Sequence, residues 1–447
     1  MKKFRVIILL VALLAFLNSL ALANGLNLNG LGAKAVAMGG AFVGLADDFT
    51  AVFWNPAGIA QFDKKYIGFY GSDIIPYMDY SLDVPVPGYG DVNLVDASSM
   101  VKHNLVGMAA YYQPISDNLV VGFAAYVPSG LGIEWDGMDL AAISGVSPNP
   151  SINWKTKIFV FTFSPVVAYK VNDQLMLGLT LNINYGSFST SQWSGAAEIP
   201  FPPYALDLGQ QNLDMKGWGI GATFGILYKP SEMFSIGATF RTPSKINFSG
   251  ETTVSGIGQL GPLVGGTIET TADVEADVTS PMWLAAGIAF KPTRNITLTA
   301  DAQYTQWSKI DIINLAFTDP SWVLLMEQTE GNMLKLEWDS RVQIRFGAEY
   351  KLTEKLALRG GYYYDPSAAP DMTRNILLPI TDFNCFAFGI GYELNGVHID
   401  LGAEYLSGKE KSITYMQTLT DPDYESAMPG VYNLKILALE FCMGYRW

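Results

Sequence analysis

Cysteine, histidine and charge are all scarce in this chain. Among 447 residues there are two cysteines and two histidines, and only 16% are charged. So few cysteines exclude a disulfide-built scaffold. Cys385 and Cys442 lie in strand-like segments with another such segment between them. Their Cα atoms are therefore expected beyond the ~7 Å limit for a bridge, leaving two free thiols. Long apolar runs are missing too: after the first 23 residues none reaches the length of a membrane-spanning helix.

The shortage of histidine narrows the chemistry. His103 lies near a strand start and His398 in the turn "ELNGVHID". No Ser/His/Asp constellation accompanies them, neither cysteine has a histidine nearby in sequence, and no paired His/Cys spacing suits a metal. The sequence predicts no enzyme, no metal site and no cofactor.

What is present begins with "MKKFRVIILLVALLAFLNSLALA". Lys2, Lys3 and Arg5 precede an apolar run that ends in Ala21-Leu22-Ala23, the pattern of a cleaved secretory signal peptide over residues 1–23. A retained membrane anchor is the competing reading. Cleavage would remove three cations and no acid, taking the formal charge from −14 to −17. So acidic a protein is not expected to bind nucleic acid, whose phosphates select basic surfaces. The chain is also 13% aromatic and carries 44 glycines. An exported, apolar, Gly-rich chain without a spanning helix has one main way to sit in a membrane. It must close into a transmembrane antiparallel β-barrel, because every backbone polar group has to be paired within lipid.

Alternation supports that all-β reading. In "NLKILALEFCMGYRW", Leu437, Leu439, Phe441, Met443, Tyr445 and Trp447 share one face, and Ala438, Glu440, Cys442, Gly444 and Arg446 the other. "LMLGLTLNINYGSF" sets Leu175, Leu177, Leu179, Leu181, Ile183 and Tyr185 against Gly178, Thr180, Asn182 and Asn184. In "LKLEWDSRVQIRFGAEY", Leu336, Trp338, Val342, Ile344, Phe346 and Tyr350 are expected to face lipid. Lys335, Glu337, Asp339, Arg341, Gln343, Arg345 and Glu349 are expected to face a lumen, since a charge toward mid-membrane lipid costs about 2–4 kcal/mol.

Such segments start near Lys65, Lys102, Asn118, Lys155, Gln174, Asp214, Phe234, Asp273, Ile296, Leu334, Leu356, Phe383, Val397 and Tyr432. The expected total is fourteen, an even number as bacterial barrels require. Connections alternate between short ones ("ISDN", "VNDQ", "KPSEM", "KPTRN", "KLTEK", "ELNGV") and long ones rich in Gly, Pro, Asp and Ser. Short periplasmic turns and long external loops account for that asymmetry.

Residues 24–62 do not read as a membrane strand. They hold Gly25, Gly30, Gly32, Gly39, Gly40 and Gly44, then "DDFTAVFWNPAGIA". A barrel this wide leaks unless filled, so the segment is expected to be a hatch in the lumen, with residues 63–447 forming the barrel. Asn55-Pro56 would be a rigid corner in it, since proline fixes its own φ and keeps its predecessor extended.

The stretch "GLGAKAVAMGGAFVGLADDFTAVFWNPAGIAQF" resembles the N-terminal hatch of FadL/TodX-type outer-membrane transporters of long-chain fatty acids and other hydrophobic compounds. The resemblance continues in "DAQYTQWSKID" and in "RFGAEYKLTEKLALRGGYYYDPSAAPDMTRNILLPITDFNCFAFGIGYEL". It implies a bacterial outer-membrane location, a fourteen-stranded barrel, and a third strand kinked inward to open a lateral hole. Trp447 also resembles the C-terminal aromatic residue of bacterial outer-membrane barrels, which the barrel-assembly machinery reads.

The third segment, "NLVVGFAAYVPSGLGIEW", meets Pro128, Ser129 and Gly130 after a clean alternation. Proline removes a ladder donor, so pairing is expected to fail or bulge there; the plain alternative is that Pro128 ends the strand. The implied mechanism is passive. A hydrophobic molecule collects on apolar loops such as "PFPPYALDL" and "DPSWVLLM" and enters a dry luminal pocket. Movement near Asn24–Asn29 then releases it sideways past the gate residues Asn55, Pro56 and Ala57 into outer-membrane lipid. For a carboxylic acid, Arg241, Arg341, Arg345 and Arg359 on inward faces are candidates to meet the head group. Inward Asp301, Glu349, Asp400, Glu404 and Glu440, with Asp47 and Asp48 of the hatch, favour structural ion pairs instead. A barrel that partners a protein secretion system, or a hydrophilic diffusion pore, are the alternative functions.

Overall fold

The computed structural model describes residues 25, 27–144, 152–200, 203–264, 266–328 and 331–447; the expected signal peptide lies outside the described residues. Twenty hydrogen-bonded segments make one sheet. Five strands are interrupted, and the short segment Lys411–Ile413 only extends the outer end of the last, which leaves fourteen through-going strands. They are β1 (Tyr66–Val86), β2 (Gly90–Ser98 and Asn104–Ser116), β3 (Leu119–Trp135), β4 (Trp154–Lys170), β5 (Leu175–Trp193), β6 (Gln210–Ser231) and β7 (Phe234–Arg241 and Ser244–Val254). Then follow β8 (Thr271–Ser280 and Trp283–Thr293), β9 (Ile296–Thr305 and Ile312–Phe317), β10 (Met333–Lys335 and Arg341–Lys351), β11 (Leu356–Asp365), β12 (Phe383–Leu394), β13 (Val397–Gly408) and β14 (Gly430–Arg446). Each pairs antiparallel with its neighbour in sequence, and β1 closes on β14 from Tyr66↔Arg446 to Ser81↔Val431. Pro243 and Pro281 fall in the breaks of β7 and β8, where a residue without an N–H cannot continue the ladder.

The period-two pattern sets the two faces. Leu177, Leu179 and Leu181 of β5 and Leu439, Phe441 and Met443 of β14 are exposed on the outside, while Thr180, Asn182, Glu440 and Cys442 are buried inside. Tyr169, Tyr228, Phe290, Tyr350, Tyr392 and Tyr445 are exposed near the short turns, the aromatic girdle of a membrane interface. Cys385 and Cys442 are both buried and free, on β12 and β14 with β13 between them.

Two expectations need correction. Leu336 and Trp338 are buried with Trp307 and Ile310 instead of facing lipid. Glu337 adopts φ 51°, which stops the strand after Lys335 and reverses the alternation until β10 resumes at Arg341. The first outer connection is also not a long loop: β1 and β2 run on beyond the membrane and turn tightly between Val86 and Gly90.

Residues 30–62 fill the lumen. Helix α1 (Ala33–Ala37), helix α2 (Ala51–Trp54) and a 3-10 turn (Pro56–Gln61) are almost wholly buried, and Leu31, Phe42, Phe49 and Trp54 form one apolar cluster with Tyr66, Tyr112 and Tyr126 of the wall. The wall yields space where the hatch touches it. A Cβ on Gly361 would lie 1.9 Å from the Gly39 nitrogen, and one on Gly178 would lie 2.2 Å from the Pro56 carbonyl carbon. Glycine at those positions lets backbone meet backbone.

Candidate functional site

The hatch is held by polar groups that the alternating strands point inward. Asp301 of β9 accepts the amides of Phe42 and Val43, each at 2.8 Å. Arg345 donates to the Gly39 carbonyl at 3.0 Å and Arg241 to the Phe53 carbonyl at 2.9 Å. Asn55, fully buried, donates to the carbonyls of Val43 (3.0 Å) and of Ile226 in β6 (2.9 Å) and accepts from Ala57. Asn55, Pro56 and Ala57 thus sit against Gly178 and Gly225 on β5 and β6.

Within the hatch, Lys34 bonds Asp47 at 2.8 Å and reaches Glu349 at 4.0 Å. Burial works against the Lys34 ammonium, but these two carboxylates hold its pKa above the usual lysine range. Burial likewise opposes the charge on Asp47, yet Lys34 and Lys291 hold its carboxyl well below the usual carboxylate range. Asp48 differs. It accepts from the Thr50 amide and hydroxyl at 2.8 and 2.6 Å, and burial pushes its pKa up to about 6.

The wall changes at β3. The β2–β3 ladder runs from Ser116↔Leu119 to Met108↔Tyr126 and stops there. On its other side β3 slips register against β4 between Tyr126 and Ser129, a bulge at Val127-Pro128, and then pairs on to Trp135↔Trp154. Pro128 therefore does not end the strand. Among the described residues, backbone bonds between β3 and the β2 side resume only near Trp135, through the bridge to Ser99 and the bond from the Met100 amide to the Glu134 carbonyl (2.7 Å), with the Asn104 side chain against Gly132 just before them. Part of the released edge is taken by the hatch. The Leu28 amide donates to the Pro128 carbonyl at 3.0 Å, and the Ser129 hydroxyl to Asn27 Oδ1 at 2.9 Å. A Cβ on Gly130 would touch only the Ile158 carbonyl, so the seam is thin.

A cavity of about 400 Å³ occupies this break. Its lining joins lumen-facing Tyr70 and Glu440 to Leu105 and Phe159 of the outer face, with Asn27–Gly30 between them. Leu105 is 78% exposed, which marks the lipid side. A second cavity of about 520 Å³ lies toward the outer loops, lined by Trp154, Phe188, Phe248, Trp338 and Ile376, and Ile158 lines both.

The sequence-predicted residues divide between these places. Pro128, Ser129 and Gly130 are at the break, whereas Asn55, Pro56 and Ala57 are held on β5 and β6. None of the four arginines lines either of these two cavities. Arg359 pairs with Glu349 (2.7 Å) and Asp400 (2.5 Å), and Arg341 with Asp339 and the Ser367 carbonyl. Arg241 lies between Phe53 and Trp283 and lines a small polar pocket together with Asn27, Pro128 and Ser129, so it is the one of the four brought to the break. The loops "PFPPYALDL" and "DPSWVLLM" pack on each other: Trp322 is buried with Leu206 and Leu208 and stacks on Phe317. The aromatic lining of the outer cavity escaped the sequence reading, because Trp338 carried a lipid-facing pattern.

Comparison with known proteins agrees with this architecture. The family model described as "Outer membrane protein transport protein (OMPP1/FadL/TodX)" matches residues 14–442. Outer membrane protein P1 of Haemophilus influenzae is 24% identical over 86% of each chain. The long-chain fatty acid transport protein of Escherichia coli O6:H1 is 25% identical over 93% of this chain and 94% of its own. Among solved structures, a Pseudomonas aeruginosa FadL homologue superposes with a TM-score of 0.76 at 19% identity, covering 94% of this chain and 99% of that one. The Ralstonia pickettii toluene transporter TbuX gives 0.67 at 19% identity, again over 94% and 99%.

Proposed function

The chain belongs to the outer-membrane transport family OMPP1/FadL/TodX, and from that premise we propose that it takes up hydrophobic small molecules passively across the bacterial outer membrane, with lateral exit beside β3. The observation that carries the reading is the cavity whose lining includes both lumen-facing Tyr70 and lipid-facing Leu105. A cargo gathers in the outer cavity among Trp154, Phe248 and Trp338, passes Ile158, and reaches the break. Asn27 and Leu28 detach from Ser129 and Pro128, and the molecule leaves between β2 and β3 into lipid. Pro128, Ser129 and Gly130 form the lateral opening in this scheme. Asn55, Pro56 and Ala57 anchor the hatch while its end moves.

Lateral exit suits a hydrophobic cargo energetically. Each CH₂ kept out of water is worth about 0.8 kcal/mol, so a route through the aqueous periplasm is uphill and a route into lipid is not. Relatives named for long-chain fatty acids and for toluene carry cargo of this kind. Replacing Pro128–Gly130 with a regular strand sequence should restore β2–β3 pairing and abolish uptake of a labelled hydrophobic probe by cells. Heat-modifiable mobility on a denaturing gel would report that the barrel is folded. Normal uptake by such a folded variant refutes lateral exit.

A further inference from the structure

We propose that Ser72 and Glu440 form a head-group subsite for hydrophobic molecules ending in a hydrogen-bond donor, an alcohol or an amine, and not in a carboxylate. This rests on the uptake reading and specifies its cargo. Ser72 and Glu440 are direct partners across the β1–β14 ladder, so both side chains point into the lumen. They are 4% and 6% exposed, and both line the cavity at the break. Ser72 Oγ and Glu440 Oε2 are buried without a hydrogen-bond partner among the described residues, while Glu440 Oε1 accepts from the Tyr70 hydroxyl at 3.2 Å. Buried polar atoms are ordinarily satisfied, so this pair is built to meet an occupant.

The charge around the pair selects the occupant. Glu404, which accepts from the Tyr363 hydroxyl at 2.7 Å, lines the same cavity on the lumen side. The only lysine or arginine in the described lining is Lys157, on the outward face of β4, and His103, also in the lining, is engaged by Asp73 at 2.6 Å. A carboxylate head would join three acids, Asp365, Glu404 and Glu440, and meet no luminal lysine or arginine, and a poorly solvated group of carboxyls disfavours one more negative charge. A hydroxyl donates to Glu440 Oε2 and accepts from Ser72 Oγ. An ammonium donates to both. Ile74, Leu406 and Ile436 line the same cavity and offer apolar surface to the tail.

The test uses the full chain in phosphatidylcholine nanodiscs and equilibrium dialysis with labelled 1-dodecanol, dodecylamine and dodecanoate at neutral pH, subtracting partition into empty nanodiscs. Dodecanol and dodecylamine should bind at least about tenfold tighter than dodecanoate, the worth of satisfying a buried polar group. Glu440→Leu should remove that advantage for both. Ser72→Ala, a smaller change that leaves the barrel intact, should weaken dodecanol more than dodecylamine. Dodecanoate binding as tightly as dodecanol, or both variants binding dodecanol like the parent, overturns the subsite while the uptake reading stands. Binding of none of the three above empty nanodiscs overturns both.

Discussion

The backbone amide of Leu28 lies 3.0 Å from the carbonyl of Pro128, so the hatch pairs with the third strand where that strand leaves its neighbour. One hydrogen bond and the Asn27–Ser129 contact stand in for the missing stretch of β2. Leu28→Pro removes the donor. The variant should show faster amide exchange at residues 27–30 and faster uptake of a hydrophobic probe, with the anchored part of the hatch unchanged. Parent-like exchange in that stretch means the contact does not restrain the hatch end.

Asp301 should matter more for sealing than for folding. Its carboxyl oxygen accepts from two hatch amides at 2.8 Å, and leaving a buried amide without an acceptor costs about 1–3 kcal/mol. Asp301→Ala leaves both amides buried without an acceptor and should loosen the hatch. Planar-bilayer recordings should then show ion conductance that the parent lacks. A sealed variant would mean that other contacts hold the hatch alone.

The glycines of the wall give a test with an internal control. A Cβ on Gly361 would lie 1.9 Å from the Gly39 nitrogen, whereas one on Gly71 would meet nothing within 4 Å. Gly361→Ala should displace the hatch and expose it to protease within a folded barrel, and Gly71→Ala should behave like the parent. Equal protease resistance in the two would show that the hatch shifts without cost.

How far the sequence disclosed this follows from what selects each residue. Lipid outside and polar groups inside impose the alternation of Leu437–Trp447, and the structure keeps it residue for residue. The outer part of β2, "GDVNLVDAS", reads as a loop because it stands beyond the membrane, where most of its residues are exposed and only Val95 and Ala97 face a core. Trp338 departs from the expected lipid-facing side because one left-handed residue, Glu337, reverses the register, and a simple alternation carries no sign of it. The bulge at Pro128 was legible from proline's missing donor. That Asn55 lies against β6 was not, since it depends on a bond to the Ile226 carbonyl 171 residues away.

The hatch should tighten in acid, and Asp48 is the group responsible. Burial raises its pKa from 3.8 to about 6, against the pull of the neighbouring Lys34, so the seated hatch holds the proton more tightly than an exposed chain does. Stability from this group is therefore fully present below about 3.8 and is lost as pH rises through about 6. Between about pH 8 and about pH 5 the gain is on the order of 1 kcal/mol, because one pKa unit corresponds to 1.36 kcal/mol and only part of the shift is titrated in that window. Amide exchange in residues 30–62, corrected for intrinsic rates, should slow by up to about tenfold over that interval. Asp48→Asn keeps an acceptor for the Thr50 amide and carries no charge, so it should show acid-like protection at both pH values. Protection that rises with pH in the parent, or a pH response that survives in the variant, would remove Asp48 as the cause.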